Sequence, residues 1–239
     1  MATPGQNRAH YDRQLQTLRE DLLLLGNMAE KAVERSVDAL RLRDAEQARR
    51  VVIADREIDN LSYELEDRSL LLIATQQPMA ADLRTIAGAL FIIGELERIG
   101  DYAEGIGKIA LEINKEPPLK PLIDIPRMAG IAIDMLHQSL GAFIDRDLES
   151  CRVIWQRDDE LDGLYNQVYR ELLTYMLNDP KTIERATQLL WAAHNLERIG
   201  DRVTNICERT AFIITGDPRA LPGDDGLPVH EKNGHQPFD

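Results

Sequence analysis

The hexapeptide Leu96-Glu-Arg-Ile-Gly-Asp101 returns letter for letter at Leu196–Asp201, one hundred residues further on. Identity at a fixed offset marks an internal repeat, and a repeat organises the reading of everything around it. Within each copy a Glu and an Asp stand four apart, Glu97 with Asp101 and Glu197 with Asp201. At 3.6 residues per turn that spacing stacks both carboxylates on one helix face.

Working outward, each copy sits in the second half of a long helical pattern. The spacing predicts a first helix over 10–43, with Leu15, Leu18, Leu22, Leu25, Ala29, Ala32, Ser36 and Leu40 as its buried seam. Asp44 followed by Gln47 reads as a capping box that opens a second helix to about Thr75, with Ile58, Leu61, Leu65 and Leu72 inward. Gln77-Pro78 ends it, and Pro at a first helical position starts a third helix to about Lys115. Its seam is Ile92, Leu96, Ile99, Ala103, Ile106, Ala110 and Ile113. Three prolines within Glu116–Pro121 make a stiff linker.

The pattern then restarts. A fourth helix is expected over 126–144, a fifth from Asp147 to Leu177, and a sixth from Asn178-Asp179-Pro180 to Thr215, stopped by Gly216-Asp217-Pro218. Ala39–Asp44 resembles Ala142–Asp147, and Asp55–Asp59 resembles Asp158–Asp162, so the repeat extends beyond the hexapeptide. The fold expected is all-α, two tandem three-helix bundles of six long antiparallel helices. Its parts are a first bundle over 8–116, a linker over 117–125, a second bundle over 126–216 and a disordered tail over 217–239. Residues 1–7 are expected to be disordered as well.

Composition limits the function. Charged residues make up 29% of the 239 and aromatics 5%, a balance typical of long helices. A net charge of −13 argues against nucleic acid and against anionic lipid as partners, and fits cations or basic protein surfaces. Two cysteines, Cys151 and Cys207, without CxxC spacing argue against a disulfide framework and fit a reducing cytosol. The run Ile86–Gly94 is about half of the roughly 20 apolar residues that a membrane span needs. These features together read as a cytoplasmic protein.

The second and fifth helices carry acids four apart too, Asp55/Asp59 and Asp158/Asp162. Counted from the hairpin turns, Asp59 and Glu97 both lie roughly 27–30 Å away, at ~1.5 Å per residue. Asp162 and Glu197 match in the second unit, and Asp55/Asp101 and Asp158/Asp201 match one turn further. Each lower acid follows a seam residue by one position, which turns it about 100° to the edge of the core. Four carboxylates crowd each strip, and two charges about 5 Å apart repel by roughly 3 kcal/mol at an effective dielectric near 20. Protonation, salt bridges from Arg98 and Arg198, or a bound cation must relieve this. An all-oxygen set suits hard ions, and iron, manganese, magnesium or zinc are the candidates. A single acid pair is ordinarily a solvated face; matched pairs in both repeats point to metal ligands.

Asn205 and Glu208 continue the second strip, whereas Gly105 replaces the Asn in the first and leaves it poorer in outer ligands, whether or not Glu104 compensates. Gly100 and Gly200 sit inside helices, where Gly costs about 1 kcal/mol against Ala, so either a neighbour or an ion approaches closely there or the cost is simply tolerated. His194 precedes Glu197 by three residues, the reverse of the Glu-x-x-His order of diiron bundles. Trp155 and Trp191 read as core or interface, and Asp82 and Arg84 as a helix-start arrangement. A dimetal-carboxylate redox enzyme and a metal-free helical scaffold stand as alternatives to a metal-binding adaptor.

Asp55-Arg-Glu-Ile-Asp59, Gln77-Pro-Met-Ala-Ala-Asp-Leu-Arg84, Glu95–Ala103 and Asn195–Val203 resemble the PhoU family, regulators associated with bacterial phosphate-specific transport. The resemblance runs to about Thr215 and follows the twofold repeat. It implies carboxylate strips that bind metal clusters through Glu/Asp-x-x-x-Asp motifs, here Asp55, Asp59, Glu97, Asp101, Asp158, Asp162, Glu197 and Asp201. It also implies a cytoplasmic, often homodimeric protein without enzymatic activity. The implied partners are the phosphate transporter's ATPase and a sensor histidine kinase of the phosphate response. The second unit lacks the Gln-Pro-Met-Ala-Ala-Asp-Leu-Arg block, so a partner held by that block would meet the first unit only.

Overall fold

The computed structural model describes residues 4–221. Its regular elements are α1 (Pro4–Leu42), α2 (Ala45–Gln76), α3 (Ala80–Ile113), α4 (Asp124–Asp145), α5 (Leu148–Gln156), α6 (Asp158–Asn178) and α7 (Ile183–Thr215), with a single 3₁₀ turn over Pro180–Thr182. Helices α1, α2 and α3 pack on one another, and α4, α5–α6 and α7 repeat the arrangement. The halves meet where α3 lies against α7 and α1 against α4. Asn205 bonds Glu95 while Asn195 lies beside Gly105, so α3 and α7 run antiparallel about a local twofold. One continuous core crosses that seam, with Leu22, Leu25, Ile92, Leu96, Leu136, Leu161 and Leu196 among its side chains.

The hairpin turns repeat as well. Arg43 and Arg146 end α1 and α4 in the left-handed region, at φ 60° and 55°. Asp44 N donates to Ala39 O and Asp147 N to Ala142 O, the six-residue closure of a Schellman stop. Each Asp then caps the next helix: Asp44 Oδ1 accepts from Glu46 and Gln47 N–H, and Asp147 Oδ1 from Glu149 and Ser150. Gln47 does not return the bond as a full capping box requires. Its amide donates to Arg35 O instead.

The seams fall where the spacing predicts, with two shifts. Val33 rather than Ala32 is fully buried on α1, and Leu61 on α2 is only partly covered. The helix starts move. Helix α1 reaches back to Pro4, earlier than expected. Met79 is extended, so α3 begins at Ala80 and not at Pro78. Asp179 caps the 3₁₀ turn by accepting from Lys181 N–H, and α7 follows at Ile183. Gly216, at φ 76°, closes α7 by donating to Phe212 O. Of the expected tail, 222–239 lie outside the described residues, as do 1–3 of the expected disordered start.

The expected fifth helix is interrupted. At Arg157 the ladder tightens to three-residue bonds, Arg157 N to Ile154 O and Glu160 N to Arg157 O. The Arg157 guanidinium reaches across to Asp134 on α4 at 2.6 Å. The break leaves Asp158, Asp159 and Glu160 in the first turn of α6, where the helix dipole favours acids. Among the described residues no helix is long and apolar enough to cross a membrane.

Candidate metal centre

The first strip forms where α2 passes α3. Ile58 and Leu96 plug the core, and the residues that follow them, Asp59 and Glu97, emerge at its edge. Asp55, Asp59 and Asp101 each offer a carboxylate oxygen within 4.8 Å of the others. Glu97 stands beside Asp101 and Asp59, close enough that both push its proton affinity up after burial has done so. Burial, then repulsion from Asp59, Glu104, Asp101 and Glu97, pushes Asp55 up to about 7. Burial and Asp59 also raise Asp101. Glu104 therefore belongs to this strip, where the Asn expected from the repeat is missing.

The second strip has the same plan and different company. Burial, then Asp162, Asp201 and Glu197, pushes Asp158 up to about 7. Asp201 is raised by burial and Glu197, against the pull of Arg198 and Arg202. Arg198 Nη1 lies 2.9 Å from Asp201 Oδ2, and Arg202 Nη2 lies 3.9 Å from it. His194 Nδ1 is 3.3 Å from Glu197 Oε2 without the alignment of a hydrogen bond. In the first strip Arg98 turns to Glu95 instead. Among the described residues the three-oxygen cluster accordingly occurs in the first strip alone. The spacing left that strip the poorer of the two; in the structure it is the one that holds the three-oxygen cluster, while Arg98 pairs with Glu95 and only moderates Glu97 and Asp101.

Two of the expected outer ligands are used elsewhere. Asn205 Nδ2 donates to Glu95 Oε2 at 3.0 Å, across the α3–α7 seam. Glu208 is exposed and accepts from Trp155 Nε1 at 3.4 Å. Trp155 is partly buried against the core and Trp191 is 55% exposed. Arg84 packs against Gly216 at the carboxyl end of α7, whose carbonyls favour a cation.

The repeated glycines explain how closely the acids come in. A Cβ on Gly100 would stand 3.0 Å from Ile58 Cγ2 and 3.2 Å from Asp55 Oδ1. On Gly200 it would stand 2.5 Å from Leu161 Cδ2 and 2.6 Å from Asp158 Oδ1. The bare helix surface thus admits one carboxylate in each half. Both of those oxygens, Asp55 Oδ1 and Asp158 Oδ1, are buried without a hydrogen-bond partner, and so is Glu197 Oε2. A buried oxygen left unpaired is costly, and the same cost recurs at equivalent positions of the two halves, where a proton on the carboxyl or a cation beside it would relieve it. The donor set is all oxygen and suits a hard cation.

Glu95 escaped the spacing argument. It is 2% exposed and pairs with Arg98 at 3.0 Å and with Arg202 of α7 at 3.4 Å, besides Asn205. The available signal was a charged residue on the apolar face, three positions after Ile92, where the other repeat has Asn195.

Comparison with known proteins places this geometry in context. The PhoU domain matches twice, over 22–110 and 125–210. The chain is 42% identical over 208 residues to a phosphate-specific transport system accessory protein PhoU homolog of Caulobacter vibrioides, covering 87% of this chain and 90% of that one. A homolog of the same description from Clostridium acetobutylicum is 37% identical over 87% and 96% of the two chains. The crystal structure of PhoU from Pseudomonas aeruginosa superposes with a TM-score of 0.83 at 31% identity, over 87% of this chain and all of that one. That of the phosphate transport system regulatory protein PhoU from Streptococcus pneumoniae gives 0.80 at 27% identity, over 87% and 98%. Two matched repeats, the helical architecture and this identity over most of the chain together show that the protein belongs to the PhoU family.

Proposed function

We propose that the protein is a metal-binding regulator of phosphate uptake and phosphate-starvation signalling. It acts in the cytoplasm as a negative regulator, on the ATPase of the phosphate transporter and on the sensor histidine kinase of the phosphate response. The relatives are named as accessory proteins of phosphate-specific transport, not as enzymes, which supports the pathway and an adaptor role. The metal part rests on one observation: equivalent carboxylate oxygens of Asp55 and Asp158 are buried unpaired against mid-helix glycines.

Asp55, Asp59, Glu97 and Asp101 would hold a cation in the first strip, with Glu104 beside them. Asp158, Asp162, Glu197 and Asp201 would hold one in the second. A cation held there would neutralise each strip and tie α2 to α3 and α6 to α7. Asn205 and Glu208 join only after their present hydrogen bonds break. The chain works as a homodimer in this reading, checked by light scattering.

Elemental analysis of untagged protein tests the metal directly. Wild type should retain iron, manganese, magnesium or zinc, and the Asp101→Ala/Asp201→Ala double variant should lose it. Equal metal content in both sinks the reading. A deletion strain should show altered phosphate uptake and derepressed starvation genes; unchanged behaviour in both removes the pathway.

A further inference from the structure

Cys151 on α5 and Cys207 on α7 are both fully buried and both free. The helices that carry them pack on each other, and each thiol is the first influence on the acidity of the other. The repeat supplies an independent measure of how close the helices come here. Offsets of 103 and 100 residues, which relate Asp158 to Asp55 and Gly200 to Gly100, relate Cys151 to Ala48 and Cys207 to Gly107. A Cβ on Gly107 would stand only 3.4 Å from Ala48 O, so the helices are nearly in backbone contact at that level. By that equivalence the α5–α7 crossing sets the two cysteines at a spacing of the kind that a disulfide spans.

We propose that Cys151 and Cys207 form an oxidisable pair, a modification site that closes to an intramolecular disulfide between α5 and α7 when the protein meets a peroxide. Cys151 stands on the short α5 and is the sulfur that local opening brings to peroxide first. The Cys151 thiolate attacks one oxygen of hydrogen peroxide. The O–O bond breaks, Cys151 becomes a sulfenic acid, and the departing hydroxide takes a proton to become water. The Cys207 sulfur then attacks the sulfenyl sulfur. The S–S bond forms, the S–O bond breaks, and the hydroxyl leaves as a second water with the Cys207 proton. Two thiols are oxidised and one peroxide is reduced.

The fold makes this step reachable. Helix α5 has nine residues, held between the Asp147 cap and the interruption at Arg157, so it can open locally while the long helices stay packed. Closure would pin α5 to α7 two turns from the Asp158–Gly200 contact, roughly 10 Å along the helices.

The test uses the full chain, reduced, in buffer containing EDTA, and exposed to hydrogen peroxide. Intact mass should fall by two hydrogens. A non-reducing peptide map should join the Cys151 and Cys207 peptides, and dithiothreitol should reverse both changes. Cys207→Ala should halt the reaction at a Cys151 sulfenic acid captured by dimedone, with circular dichroism confirming its fold. Where that variant unfolds, the wild-type peptide map decides alone. Unchanged mass, sulfinic acid without a bridge, or bridges only between molecules would overturn the proposal.

Discussion

At the scale of single residues, the two mid-helix glycines and the acids they face carry the sharpest predictions. Replacing Gly by Ala in a helix gains about 1 kcal/mol of propensity, while overpacking a core costs about 1–3 kcal/mol. At Gly100 the new methyl meets Ile58 carbons at 3.0 and 3.1 Å, so gain and cost nearly cancel. At Gly200 it meets Leu161 at 2.5 Å and Asp158 Oδ1 at 2.6 Å, and Leu161 is completely buried. Gly100→Ala is therefore expected to be near neutral and Gly200→Ala to destabilise by about 1–2 kcal/mol in urea unfolding. The acids give a pH dependence of definite sign. Asp55 and Asp158 keep their protons up to about 7 when folded, against an ordinary 3.8. Between those values the unfolded chain ionises first. Stability contributed below about pH 4 is thus lost as pH climbs through about 7. In EDTA the melting temperature should fall from about pH 5 to about pH 8, and Asp55→Asn/Asp158→Asn should flatten the slope. Added Mn²⁺ should raise it most at the alkaline end, where no proton competes with the cation. A metal-independent, pH-independent melting temperature would refute the account of both oxygens.

At the scale of elements, the joint between α3 and α7 hangs on Glu95. Its carboxylate is the shared partner of Arg98, Arg202 and Asn205, and Arg202 is itself largely covered. Removing one member of a buried ion pair leaves the rest uncompensated, at a cost of about 3–5 kcal/mol. Arg98 is half exposed and will rehydrate, so Glu95→Ala should cost about 3 kcal/mol in chemical unfolding, near the lower end. Glu95→Gln, which keeps the bond to an amide partner, should recover part of that loss. The elements also show what spacing can and cannot reveal. The 3–4 seams placed α1, α2 and α3 because an apolar stripe is a direct print of burial, and the repeat with its cap and Pro signals placed α4 and α7. Heights along antiparallel helices placed Asp59 with Glu97 because the rise per residue is fixed. The interruption at Arg157 left no print, since Arg157 and Asp158 both take helical positions and the contact that accompanies it is to Asp134 on another helix. For the same reason Asn205 looked like a continuation of the acid strip. Its angular position is ambiguous between the α6 side and the α3 side, and Glu95 decides it.

At the scale of the molecule, the two halves repeat in plan but share one interior. Read from sequence, the prolines at 117, 118 and 121 suggested a boundary between units. In three dimensions the seam is closely packed. A Cβ on Gly88 of α3 would come within 2.2 Å of Ile213 of α7, and one on Gly26 of α1 within 2.2 Å of Leu140 of α4. Arg209 of α7 lies 4.0 Å above the Phe91 ring. A fragment ending at residue 116 keeps every helix of the first half and loses all of these partners. It bares the apolar faces of both α1 and α3, together with Glu95 deprived of Arg202 and Asn205. Its intrahelical bonds survive, so far-ultraviolet circular dichroism should stay strongly helical. The uncovered faces should drive it to dimers or larger species in size-exclusion chromatography, and its thermal transition should broaden relative to the full chain. A fragment that stays monomeric and melts in one sharp transition would mean that the halves are independent folding units joined by a hinge. The continuity of the core across α3 and α7 predicts the opposite.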